Sequence, residues 1–174
     1  MMTIKPMTTA EELLQIHRLN YTTFVEEIPQ HHVNDERVLV DRFQESSRYI
    51  LAKRNEEVIG MVCYNLQRPF SLDEKMEDLD KYLPQHNRLA EVRLLAVYQN
   101  ERKTTITYNL LKYLCKTLID IGVDAAVICG ITSQLRLYSH IGFCPFGSLV
   151  GTEGALYQPM FITLNALHNE FKIY

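Results

Sequence analysis

Residues 90–111, AEVRLLAVYQNERKTTITYNLL, limit the folds open to this chain more than any other stretch. The segment Leu89–Val97 is rich in Val and Leu and has strand length. A polar turn follows. From Thr104 the apolar positions Ile106, Leu110, Tyr113, Leu114 and Ile121 return at helical spacing, and Gly122 is placed as a C-terminal cap. A helix start exposes backbone N–H groups that have no partner inside the helix, and the helix dipole adds positive potential. Arg102, Lys103, Thr104 and Thr105 stand at that point, so it suits a phosphate group. The simpler alternative is a solvated basic connection.

The rest of the chain fits a layered α/β fold. Residues 3–7 form a candidate first strand. Thr9 and Glu12 match a capping box, which predicts a helix from Ala10 that Pro29 ends by about Glu27. Residues 30–47 have no clear period and read as a loop, with room for one turn of helix, long enough for a binding lid. Residues 48–53 and 57–64 flank the polar Arg54-Asn55-Glu56 and predict a hairpin. Residues 71–82 read as a polar helix, with Ser71 as N-cap and Glu74 three residues on. The apolar run 123–129 predicts a strand buried on both faces. A helix capped by Thr132 or Ser133 then runs to Gly142, residues 143–150 and 155–164 read as closing strands, and residues 165–171 as a short terminal helix or a tail. This order predicts one α/β domain over residues 1–174, with a central sheet and helices on its faces.

Composition narrows the function. With 174 residues, 47% of them apolar and 22% charged, the chain can build a sizeable core. A net charge of −3 gives no basic footprint for nucleic acid. No apolar run is long enough to span a membrane. Glu11 and Glu12 stand where an export signal needs an apolar run, which predicts a cytoplasmic protein. The four cysteines are far apart and suit buried, reduced thiols. His31-His32 has no spaced cysteine partners, so no metal site is expected.

Two motifs carry a family resemblance. Leu95-Ala96-Val97, then Arg102 and an amphipathic helix, is similar to the acyl-CoA signature of the GNAT N-acyltransferase superfamily, where a strand ending in LAV leads to Arg-Gly-x-Gly-x-Gly/Ala. Leu137-Tyr138-Ser139-His140-Ile141-Gly142-Phe143, which starts 35 residues after Arg102, resembles that family's L-Y-x-x-x-G-F. The resemblance implies a GNAT-like fold with a mixed, mostly antiparallel, twisted sheet and helices on both faces. It implies an N-acyltransferase, foremost an N-acetyltransferase, that uses acetyl-CoA or another acyl-CoA. The acyl group would pass to an amine by direct attack in a ternary complex. Leu95, Ala96 and Val97 would hold the pantetheine arm and carbonyl. Arg102, Lys103, Thr104, Thr105, Ile106 and Thr107 would hold the pyrophosphate.

The chain departs from the signature, with Lys103, Thr105 and Thr107 at the glycine positions and Gln99 at the usual proline. A β-branched Thr obstructs the close approach that glycine allows. Either the Thr hydroxyls bind the phosphates, or the pocket is weaker, or the acyl group arrives on an acyl carrier protein. Arg18-x-x-Tyr21-x-x-Phe24-x-Glu26-Glu27, followed by Asp41, is similar in layout to the autoinducer-synthase and N-acyl amino acid synthase branch, which implies a long-chain acyl donor. A GNAT fold that binds a ligand or partner without catalysis is the reading from another class.

The match makes Tyr138 the proton donor for the departing thiolate. A phenol of pKa about 10 suits a thiolate of about 8.5. The alternative for Tyr138 is a packed aromatic. Glu91 is a candidate base acting through water. By alternation Glu91, Arg93 and Leu95 share a strand face, which also allows a plain Glu91–Arg93 ion pair. His31 and His32 are lesser candidates as bases, and Cys144 as a nucleophile. Tyr21, Glu27, Tyr157 and Gln158 are candidate contacts for a small amine or amino-acid-like acceptor. A homodimer is compatible with this reading.

Overall fold

Caps, turns and apolar runs set most element boundaries. In this computed structural model, which describes residues 1–102 and 104–172, the order begins with β1 (Met2–Pro6), α1 (Ala10–Tyr21), β2 (Ser47–Arg54), β3 (Glu57–Asn65) and β4 (Leu89–Val97). It continues with α2 (Ile106–Asp120), β5 (Ala125–Ile131), α3 (Leu135–Ile141), β6 (Cys144–Pro145), β7 (Val150–Thr152), β8 (Ala155–Thr163) and α4 (Leu164–Phe171). The expected mixed, mostly antiparallel sheet is present. β1 runs antiparallel to β2, and β8 is antiparallel to β5, β6 and β7. β4 is parallel to β5, with Leu89, Ala90 and Glu91 opposite Ala125, Ala126 and Val127.

Local chemistry explains the elements. Thr9 Oγ1 accepts the Glu12 N–H at 3.1 Å and so caps α1. The Glu12 carboxylate accepts from Thr8 N–H at 2.8 Å and from Lys53 at 3.0 Å. The helix continues as a π-helical segment, Thr22–Glu27, and stops before Pro29 as expected. Asn55 takes a left-handed φ of +55° in the two-residue turn between β2 and β3. Gly122 (φ +78°) ends α2, where Val123 N–H reaches Leu118 O and Gly122 N–H reaches Ile119 O, both at 2.9 Å.

Three expectations fail. Residues 71–82 are not a helix but turns that end in a short 3-10 segment, Leu79–Tyr82. Ser71 does not cap, because its N–H and hydroxyl go to Glu91. Asp73 accepts the Phe70 N–H instead, at 2.7 Å. The buried Phe70, Leu72 and Leu79 do not share one helix face and pack with Leu89, Ala125 and Val127. Neither Thr132 nor Ser133 caps α3; a 3-10 turn over Thr132–Gln134 precedes it. Residues 143–150 hold only the two-residue β6 and the first residue of β7.

The chain contacts gather into two compact units. The first, Met1–Tyr64 with Leu94–Leu114, packs Ile16 and Leu19 of α1 on Leu51, Val58, Met61 and Ala96. The second is Asn65–Arg93 with Cys115–Tyr174, and its core is the Phe70 cluster. Strand β4 contributes to both. Leu94, inside that strand, has φ +53°, a left-handed residue of the kind that marks a bulge. It breaks the alternation on which Leu95 was placed with Glu91 and Arg93. No described helix is long and apolar enough to cross a membrane.

Candidate active site

In the second unit the polar chemistry centres on Glu91, which is 1% exposed. Strand β4 carries it into the core, where the turn at Ser71 supplies its partners. Ser71 N–H donates to Oε2 at 2.9 Å, Ser71 Oγ–H to Oε1 at 2.6 Å and Leu72 N–H to Oε1 at 3.0 Å. Arg93 Nε lies 3.9 Å from Oε2. A carboxylate that accepts this many donors is fixed in place.

Cys129, Tyr138 and Tyr157 belong to the same cluster. Tyr138, on α3, lays its ring against Gly130 of β5. A Cβ at Gly130 would stand 2.9 Å from Tyr138 Cδ2 and 3.1 Å from Cε2, so the bare backbone makes room for the ring. Gly142 ends α3 at φ +109° and lets Phe143 meet Tyr138 edge-on, with centroids 6.3 Å apart. Burial raises the Tyr138 phenol above its usual value, and Cys129 adds to this. Burial, then Cys129 and Tyr138, push Tyr157 up to about 12. Burial likewise raises the Cys129 thiol, with Lys75 and Arg93 acting downward and Glu91 upward. Both phenols are therefore neutral donors at ordinary pH. Tyr157 Oη is buried and has no hydrogen-bond partner among the described residues. Lys75 Nζ sits 5.4 Å from the centre of its ring.

The other expected acceptor contacts turn to internal tasks. Gln158 Nε2 donates to Phe146 O at 2.8 Å and Pro159 O at 3.0 Å. In the first unit Tyr21 is 4% exposed, and its hydroxyl lies 3.3 Å from both N and O of Asn34, which holds the long loop. Glu27 pairs with Arg102 at 2.5 Å. Arg102 Nε also donates to Val97 O at 2.8 Å. The guanidinium placed at the phosphate site is thus tied across its own turn.

Thr104 Oγ1 donates to Glu101 O at 2.7 Å and accepts the Ile106 N–H at 3.3 Å, while Thr105 Oγ1 accepts from Asn109. Ile106 is buried and Thr107 half-buried. Ala96 and Val97 are buried and Leu95 half-buried. Lys103 lies outside the described residues. His31, His32 and Cys144 are exposed. The described residues contain no group of three His, Cys, Asp or Glu side chains able to hold a metal ion.

Sequence reasoning missed Ser71, Leu72, Lys75, Cys129 and Gly130 as parts of the cluster. Gly130 left a signal, because a glycine inside an apolar strand marks a close approach. Ser71 left none, since its partner is 20 residues away.

The fold has clear relatives. A CoA-dependent acyl-homoserine lactone synthase, BjaI, solved with SAM and isopentyl-CoA, superposes with TM-score 0.80 at 20% identity, covering 99% of this chain and 90% of that one. The AHL synthase LasI gives 0.79 at 15% identity, covering 98% and 94%. FeeM, an N-acyl amino acid synthase from uncultured soil microbes, gives 0.75 at 14%, also covering 98% and 94%. At these identities the likeness is one of fold. No curated protein matches the chain in sequence. The model of the acetyltransferase (GNAT) family matches residues 10–143, so the chain belongs to that family and is a GNAT-type N-acyltransferase.

Proposed function

We propose that residues 1–174 act as one acyltransferase domain that moves an acyl group from an acyl-CoA to the amine of a small, amino-acid-like acceptor. The observation that carries this reading is the neutral Tyr138 phenol, held against Gly130, with the unpartnered hydroxyl of Tyr157 within its electrostatic reach. The acceptor ammonium first loses a proton to solvent. Its nitrogen attacks the thioester carbon, the C–N bond forms, and the C–S bond breaks as the tetrahedral species collapses. Tyr138 gives its phenolic proton to the leaving thiolate and regains one from the new amide nitrogen. Glu91 is then a positioning residue rather than the base, because its oxygens already accept from Ser71 and Leu72. Tyr157 contacts the reacting groups in the second unit. At the start of α2 the first-turn amides take the pyrophosphate, since the Thr104 and Thr105 hydroxyls serve the turn itself.

Acetyl is the first candidate acyl group. The fold shared with the synthases BjaI and FeeM favours a longer chain, carried by CoA or by a carrier protein, as the second reading. Calorimetric titration with acetyl-CoA, free CoA and a long-chain acyl-CoA tests both. Micromolar binding of acetyl-CoA supports the first, and preference for the long chain supports the second. If none binds, acyl carrier protein is the next donor to try, and failure there leaves a non-catalytic binding protein.

A further inference from the structure

The first unit holds a cavity of about 610 Å³ that the acyl-transfer reading does not use. This volume is in the range of small-molecule sites. Helix α1 lines it with Glu11, Gln15 and Arg18, whose spacing puts them on one helix face. Glu57, at the start of β3, and Tyr98, just after β4, add to the polar lining, together with Glu56, Asn100 and an Arg54–Glu101 pair.

Several of these groups are already paired. Gln15 Oε1 accepts the Val58 N–H at 2.8 Å, and its Nε2 donates to Glu56 O at 3.2 Å. Arg54 grips both oxygens of Glu101, one of them at 2.9 Å. Glu56 lies 3.5 Å from Lys53. The side chains of Arg18, Glu11 and Glu57 make no hydrogen bond or ion pair among the described residues, yet all three residues line the cavity. Tyr98 lies within electrostatic reach of Arg18 and Glu57. Burial raises its phenol, with Arg18 acting downward and Glu57 upward, so it is a neutral donor beside the unpaired cation.

We propose that this cavity binds a basic amino acid, with the ligand's carboxylate at Arg18 and Tyr98 and its two cationic groups at Glu11 and Glu57. One cation and two carboxylates without partners leave the wall one negative charge in excess, and a basic amino acid presents the complementary set. Charge-assisted hydrogen bonds supply the recognition. The three charged side chains are exposed, so salt weakens the binding. The inference concerns binding alone and stands apart from the acyl-transfer reading.

Calorimetric titration of the full chain with L-lysine, cadaverine and L-norleucine tests it. Cadaverine lacks the carboxylate and norleucine the second ammonium. L-Lysine should bind at least about tenfold more tightly than either. Arg18→Gln should weaken lysine about tenfold and should not weaken cadaverine. Glu57→Gln should weaken lysine and cadaverine alike. Unchanged melting temperatures verify that both variants fold. Absence of saturable lysine binding overturns the proposal, as does lysine affinity that neither variant alters. Cadaverine binding as tight as lysine's replaces the amino acid with a simple diamine and equally overturns it.

Discussion

The turn between β4 and α2 and the cluster around Glu91 treat their polar side chains in opposite ways. In the turn every polar side chain with a defined contact serves the turn: Arg102 holds Glu27 and Val97 O, Thr104 holds Glu101 O, and Thr105 meets Asn109. In the cluster the carboxylate is fully occupied, but the Tyr157 hydroxyl is buried and idle. A buried polar group without a partner costs stability. On the reading proposed above, a bound ligand supplies the missing partner of Tyr157. The turn presents the converse, because Arg102 already has partners in Glu27 and Val97 O.

Five substitutions sharpen or break this contrast. The largest effect belongs to Glu91→Ala, which orphans two buried amides and a hydroxyl and should cost about 3 kcal/mol, read as a shift in urea midpoint. A cost under about 1 kcal/mol would mean that the cluster is not internally held. Tyr138→Phe comes next. It should lower kcat about 100-fold and change acyl-CoA affinity little. The raised phenol loses its proton only above the ordinary tyrosine value, so the loss of rate from deprotonating Tyr138 should set in only when the pH exceeds about 10. An unchanged kcat in the Phe variant would remove Tyr138 from the chemistry.

Gly130→Ala should lower kcat about tenfold by pushing the Tyr138 ring off the strand. If kcat holds, the close approach has no catalytic use. Tyr157→Phe removes the idle hydroxyl, so it should raise stability by about 1 kcal/mol while lowering activity. A loss of both would show that the hydroxyl has an internal partner after all. The smallest effect is expected for Arg102→Ala, with acyl-CoA affinity down less than about threefold, because its guanidinium is tied to Glu27. A loss of about 100-fold would break the contrast outright and return the side chain to the phosphates.

How far these features could be read from the chain depended on the range of the interactions behind them. The β4–turn–α2 unit was legible because the Val- and Leu-rich strand length, the helical spacing and Gly122 are local. So was the Tyr138 motif, with Gly142 turning the chain toward Phe143. The segment after Phe70 was misread because Glu91 draws Ser71 away from any capping role. The Arg102–Glu27 pair joins positions 75 residues apart and leaves no local trace. Tyr157 is a candidate contact from its place near the end of the chain, but that its hydroxyl lacks a partner is a property of packing.

Leu94 inverts a familiar substitution rule. Glycine ordinarily weakens a strand, yet at φ +53° a leucine bears a steric cost of about 1 kcal/mol that glycine escapes. Against this, the Leu94 side chain packs on the core of the first unit. Leu94→Gly therefore sets released strain against lost contact at a single position. Leu94→Asn tolerates the same backbone and keeps some side-chain volume. The difference in melting temperature between the two variants measures how far this strand is held in shape by its neighbours rather than by its own residues.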